Sequence, residues 1–287
     1  MRRKITSYYY LILGLLLCSA ACQKTEQIAG EGQDTYINFY NASEVLQQYR
    51  SYSEQNQIII NDSVPGARNR PQFSSTDDFR QFPRHLTGTD AVIDGPAGDI
   101  YWLPMMADTY RFTYTSVNKN YLVDTAVTLL PKTFTTQYLV ESPEAEEAYR
   151  ILTVPVERKG IAGKVRVQVV NLSPDFGNLE VVRVGQEGRQ IATDLPGDLS
   201  FGSYSPYAEL DTAGSSETYG KLVLQFRKSG SSETVLTAAI DAIPKSSHTI
   251  VFQGFERETP RRIKTGDGEY EQAIVAPNLR VKVRRVF

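Results

Sequence analysis

Thiols are almost missing from this chain. Its 287 residues contain two cysteines, Cys18 and Cys22, and none follows residue 22. Beyond that point a disulfide framework, cysteine catalysis and a thiolate zinc site are all excluded. Histidine is equally scarce: His85 and His248 stand alone, with no paired-ligand spacing, so neither points to a metal site or a catalytic base. There is no Gly-x-Ser-x-Gly elbow, no Ser-x-x-Lys set and no phosphate-cradling glycine loop. Charge of one sign is lacking too. With 31 basic and 33 acidic side chains the formal net charge is −2, which leaves no electrostatic footprint for nucleic acid. The basic residues near the end, Arg261, Arg262, Lys264, Arg280, Lys282, Arg284 and Arg285, interleave with acids such as Asp267, Glu269 and Glu271, a pattern expected of a solvated face.

No apolar run is long enough to span a bilayer as a helix, which takes about 20 residues. The longest, "YYYLILGLLL" (8–17), follows Arg2, Arg3 and Lys4 and precedes the small residues Ser19, Ala20 and Ala21. That is the three-part layout of a secretory signal. Followed by Cys22, it resembles a bacterial lipobox, with Ser19 where Leu is usual. The resemblance implies cleavage before Cys22 and acylation of that cysteine, removing residues 1–21 and Cys18 with them. The remaining 266 residues would carry a formal charge of −5. Residues 22–33 would form a polar tether. Gln23 and Lys24 follow the cysteine where inner-membrane lipoproteins often carry Asp, so the expected location is the outer membrane, at its periplasmic face or on the cell surface. "QKTE" also looks like the surface-export signal of some Bacteroidota lipoproteins.

Past the tether, short runs rich in Val, Ile, Thr and Tyr alternate with Gly, Pro, Asn, Asp and Ser clusters. This is the rhythm of β-sandwiches. An internal repeat organises them. "INFYNAS" (37–43) matches "VQVVNLS" (167–173), "IIIND" (58–62) matches "LEVVRVG" (179–185), and 109–141 lies along 221–254. Both copies place Pro-Lys before a strand, at Pro131-Lys132 and Pro244-Lys245, and both close on a strand, "YRILTVPVERK" and "LRVKVRRVF". The units are therefore expected at 34–159 and 163–287, with His248 equivalent to Thr135. Because a mid-chain strand matches it, the final strand ending in Phe287 is expected to be structural and not an outer-membrane assembly signal.

Copy two, with "VRVQVVNLSPD", "FGSYSPYAEL" and "SHTIVFQG", resembles the domain-of-unknown-function family numbered 4397 over most of residues 164–255. Copy one matches in outline through "INFYNAS", "YWLPMMADTYRF" and "TTQYLVE". The resemblance implies two tandem immunoglobulin- or transthyretin-like β-sandwich domains in an exported, all-β protein, and no known reaction. Copy one carries 17 extra residues between its Asn and Pro landmarks. Short helical insertions are expected there: one after Ser43 as N-cap, another opened by Ser75 and Asp78 and ended by Pro83.

Aromatic side chains are the best candidates for ligand contact, since flat rings stack on sugars. Tyr204 and Tyr207, beside Gly202 and Pro206, are expected on the surface, and Tyr101 and Trp102 in "IYWLPMM" are a second set, although a lone Trp usually packs inside. Asp267, Glu269 and Glu271 around Gly268 form a weak calcium candidate, with a spacing that matches no EF-hand. The acid pairs Asp77-Asp78 and Glu146-Glu147 are expected in solvent. No cofactor is implied. The function expected is a non-enzymatic, lipid-anchored envelope protein that recognises or scaffolds an envelope protein or glycan through its loops. The alternatives are a pilin-like fibre subunit that donates its last strand, and an exported hydrolase whose site is assembled only in space.

Overall fold

β-Branched and aromatic residues punctuated by Gly, Pro and Asn turns give strands almost throughout. The computed structural model describes residues 34–48, 57–61, 79–81, 100, 102–115, 120–185, 188–212, 220–264 and 269–287. Cys22, the signal, the tether, Tyr101, Asp267, His85 and the proposed cap at Ser75 and Asp78 lie outside these residues.

The N-terminal half contains β1 (Asp34–Asn41), α1 (Glu44–Gln48), β2 (Gln57–Ile60), β3 (Phe79–Gln81), β4 (Leu103–Met106), β5 (Thr109–Thr115), β6 (Tyr121–Thr128), β7 (Phe134–Glu141) and β8 (Tyr149–Val156). The C-terminal half contains β9 (Lys164–Leu172), β10 (Leu179–Val184), β11 (Gln190–Ile191), β12 (Ser203–Tyr204), β13 (Ala208–Asp211), β14 (Lys221–Lys228), β15 (Leu236–Asp241), β16 (Ser247–Gln253), β17 (Thr259–Lys264), β18 (Tyr270–Val275) and β19 (Arg280–Arg285).

Four sheets result, with strand orders β4-β1-β7-β8, β3-β2-β5-β6, β12-β9-β16-β19 and β11-β10-β14-β15. The hairpin β17-β18 stands apart, and β13 extends the edge of β9. Each inner sheet centres on a parallel pair. Ile37 lies opposite Thr135, and Val167 lies opposite His248, so the register makes Thr135 and His248 equivalent. β19 pairs with β16 as β8 pairs with β7, which places the final strand within its own sheet.

Local chemistry repeats with the strands. Asn41 accepts from the Ser43 amide at 2.9 Å, and Asn171 from the Ser173 amide at 3.2 Å. These Asx turns end β1 and β9 alike. Lys132 and Lys245 both take positive φ, and their amides donate to the carbonyls of Asp34 and Lys164, the first residues of those strands.

Three apolar clusters stack the sheets. Ile37, Phe39, Ile58, Phe112 and Leu139 fill the space between the first two sheets. Val167, Val169, Leu224, Phe226, Ile250 and Phe252 fill that between the last two. A third cluster, Tyr40, Tyr138, Val154, Val170 and Val251, lies between the two inner sheets. Each of these buried side chains stabilises the fold by about 1.5–3 kcal/mol before entropy is counted. β7, β9 and β16 are buried along nearly their whole length because both of their faces are covered.

Two expectations change. Phe79–Gln81, expected as helix, is a strand paired antiparallel with β2; pairing with an available sheet edge outweighs a weak local helix signal. The basic C-terminal stretch is a solvated face only in part. Arg284 is fully buried and Arg261 nearly so, because β17 and β19 pack one side against the N-terminal half.

Candidate functional site

The turn 199–204 presents one of the exposed aromatic rings, Tyr204. Gly202 takes a φ of +69°, and a Cβ there would sit 3.1 Å from Nη1 of Arg150, so glycine serves both the left-handed backbone and the close approach. The turn hands the chain to β12, where Tyr204 lies opposite Val170 of β9. Directly opposed residues share a sheet face, so Tyr204 stands on the face that Val170 buries between the inner sheets, at its rim. It is 40% exposed. In the same turn the Arg150 guanidinium from β8 lies 5.9 Å from the Phe201 ring centre. An open phenol ring in a turn that also holds a cation suits stacking on a planar or sugar ligand.

The other sequence candidates are placed differently. Tyr207 is half-buried, and the Arg166 guanidinium, 2.6 Å from Glu157, covers its ring at 4.5 Å. Burial pushes its phenol up to about 12. Trp102 is half-buried and meets the Phe134 ring edge-on at 5.2 Å, which is a packing role. Glu269 and Glu271 are exposed at the start of β18. Among the described residues no group of three His, Cys, Asp or Glu side chains is arranged to hold a metal.

His248, at the start of β16, is buried. It shares the face of Ile250 and Phe252, its Nε2 lies 3.0 Å from Ser246 Oγ, and burial, reinforced by Arg285, lowers its pKa to about 4. The ring is therefore neutral at pH 7 and inside the core. Glu141 is similarly committed. It accepts from Ser43 Oγ at 2.6 Å and from the Val45 amide at 2.8 Å, and burial raises its pKa.

Sequence reasoning missed a clasp at the same end of the molecule as Tyr204. Between β16 and β19 the C-terminal half inserts the β17-β18 hairpin, where the N-terminal half has only the loop 142–148 between β7 and β8. From the hairpin Arg261 donates to the carbonyls of Ser142 at 2.9 Å and Ala148 at 2.7 Å. Arg262 lies 2.6 Å from Glu147, and its guanidinium holds that carboxyl below its ordinary value. Val45 of α1 packs with Phe255 and Val275, and Glu44 receives hydrogen bonds from Asn278 and Arg280. The acids Glu146 and Glu147 thus hold a partner from the other half.

These features define an all-β sandwich protein whose one described helix is a single short cap on a sheet. Among the described residues no helix is long and apolar enough to cross a membrane. No protein-family model matches the chain, and no curated protein matches it. Solved structures are similar at a low level, two of them as follows. One is a family 26 carbohydrate-binding module from Eubacterium rectale in complex with maltoheptaose, 11% identical, with a TM-score of 0.19, covering 85% of this chain and 98% of the module. The other is a candidate cell adhesion protein from Bacteroides fragilis, 10% identical, with a TM-score of 0.16, covering 86% and 98%. Neither similarity bears on what this chain binds.

Proposed function

We propose that this chain is a lipid-anchored, non-enzymatic protein of the cell envelope, held to the outer membrane by acylated Cys22. It acts in recognition through the loops of two tandem β-sandwich units, 34–159 and 163–287, each of the kind found in the family numbered 4397. The observation that carries this reading is the contrast between Tyr204 and His248. The titratable ring is buried and neutral, whereas the aromatic ring stands open on a short edge strand. Among the described residues the one histidine ring is inside and Tyr204 is on the surface, an arrangement that suits a binding protein. The ligand chemistry favoured by an open tyrosine ring on this turn is a glycan of the envelope.

In-cell crosslinking of the tagged protein, with capture of what accompanies it, tests the reading. Tyr204→Ala should lose the captured glycan while the protein stays in the membrane fraction. Capture unchanged by Tyr204→Ala would reject Tyr204 as the site. Retention of a Cys22→Ala variant in the membrane pellet would reject the anchor.

A further inference from the structure

The described chain begins at Asp34, at one end of β1. That end is shared by everything joined to it. Met106 lies opposite Asp34, and Lys132 bonds to the Asp34 carbonyl. β8 runs back to this end, and residues 157–163 carry the chain directly to the first residue of β9. There Lys245 bonds to the Lys164 carbonyl, Val156 packs with Val286, and Arg158 donates to the Val286 carbonyl at 3.0 Å. Gly160 packs so closely on Lys245 and Phe287 that a Cβ would lie 2.6 Å and 2.7 Å from their atoms. The two halves therefore present one continuous end.

That end is apolar at its tips. Of the eight large apolar or aromatic side chains left exposed among the described residues, four are here: Leu130 (60%), Met106 (47%), Phe287 (45%) and Ile243 (44%). Two occupy equivalent turns of the repeat, Leu130-Pro131-Lys132 and Ile243-Pro244-Lys245. Each turn thus presents an apolar side chain, a proline and a lysine together. Three acids at this end sit in pairs, Asp211 with Lys164, Asp241 with Lys221 and Glu157 with Arg166. Asp34 and Asp108 lie there as well, in the strand start and turn beside Met106. Lys132, Lys159 and Lys245 make no ion pair among the described residues. Apolar tips flanked by long lysine stems suit the boundary between headgroups and acyl chains, where the stems lie in apolar surroundings and the ammonium groups reach water.

We propose that this end is a bilayer-contact surface: Leu130, Ile243, Phe287 and Met106 rest in the interfacial layer of the membrane that holds Cys22. The inference rests on the anchor proposed above. Eleven residues separate Cys22 from Asp34, and fully extended they reach at most about 40 Å, so an acylated Cys22 keeps the Asp34 end within that distance of the membrane. Tyr204 lies opposite Val170, six residues along β9 from Lys164, roughly 20 Å further from that end. Docking this way fixes the molecule upright and points Tyr204 and the β17-β18 hairpin away from the lipid.

The test uses the protein as cells process it from the full chain, purified in detergent and reconstituted with vesicles of phosphatidylethanolamine and phosphatidylglycerol. With Cys18 removed and Cys22 acylated no free thiol remains, so single cysteines at positions 130, 243, 287, 204 and 270 can each carry a nitroxide. The first three should show raised collision with oxygen and reduced collision with a water-soluble nickel complex; the last two should behave as in water. All five water-like, with the protein still in the vesicle fraction, would overturn the contact surface and leave the anchor standing. Protein absent from the vesicle fraction would overturn the anchor, and the contact surface with it. The substituted positions are surface residues, so each variant folds, which circular dichroism checks.

Discussion

Arg284 donates from Nη2 to Oδ1 of Asn38 at 2.7 Å, across the space between the two inner sheets. Its guanidinium also lies 4.5 Å from the Tyr40 ring centre and within 3.3 Å of the Tyr138 hydroxyl. A charge with no exposed surface is thus solvated by an amide, a hydroxyl and two π faces, all supplied by the other half. Arg284→Ala should lower stability by about 3–4 kcal/mol, through the cavity and the loss of its charged hydrogen bond to Asn38. Arg284→Met, which refills the volume without a charge, should cost less. Urea unfolding of the two variants against the parent measures both.

Arg261 holds two carbonyls of the 142–148 loop with one planar fork. Arg261→Ala should cost about 2–4 kcal/mol, since each charged hydrogen bond contributes about 1.5–3 kcal/mol. Arg261→Lys should not restore it, because a point charge cannot span both acceptors. Arg262→Ala, which removes only partly exposed ion pairs, should cost no more than about 1 kcal/mol. Hydrogen exchange at the Ala148 amide should quicken in the first two variants and not in the third.

Stability should depend on pH through His248. Its folded pKa is about 4 against an ordinary 6.5, so between those values the unfolded chain binds the extra proton. Stability contributed by the neutral ring is full above pH 6.5 and is lost as pH falls towards 4, by up to about 3 kcal/mol. Glu44 and Glu141 act in the opposite sense, since burial raises both of their pKa values and their protonation favours the fold as pH falls. The difference between parent and His248→Thr, which installs the residue of the equivalent position Thr135, isolates the histidine. That difference in unfolding free energy should change between pH 7 and pH 4; a flat difference would rule the mechanism out.

Ser43 serves two masters at the start of α1. Its hydroxyl accepts from the Leu46 amide at 3.1 Å and donates to Glu141 at 2.6 Å. Ser43→Ala removes the cap and deprives a buried carboxylate of a donor, for an expected loss of about 1–2 kcal/mol. Ser43→Ala with Glu141→Gln should lose less than the sum of the single variants, because the two share one interaction.

Much of the fold was legible because it is local. Alternation marked β1 and β9, Asn-x-Ser marked their ends, Pro-Lys marked two turns, and Ser43 marked a helix start. The seam between the inner sheets was not, because a residue alternating away from a core looks the same whether it meets water or another sheet. Arg284 is the sharpest example. It alternates with Val281 and Val283 on β19, and in sequence it joins a run of solvated cations. Only the facing Asn38, Tyr40 and Tyr138 make its burial intelligible, and they are more than 140 residues away. The clasp was hidden differently. The stretch between β16 and β19 shows acids on a glycine turn, whereas the partners of Arg261 are backbone carbonyls and leave no mark in sequence. Of the aromatic candidates, Tyr204 is presented openly, whereas Arg166 covers Tyr207; stacking across β9 is not visible in a linear reading.

The seam also joins equivalents. Tyr40 and Val170 occupy the same place in the repeat, as do Tyr138 and Val251, and all four lie in one cluster. A surface that meets its own counterpart is self-complementary, the arrangement of a two-fold homodimer. In this chain the short connection 157–163 holds the counterparts at high effective concentration, so the match need not be strong enough to hold separate molecules together. Either half expressed alone would expose that apolar face and pair with a second copy of itself. The connection also frees the two sides to differ, and they have: Val154 occupies the register position of Arg284, so one half supplies the cation and the other the cage that receives it.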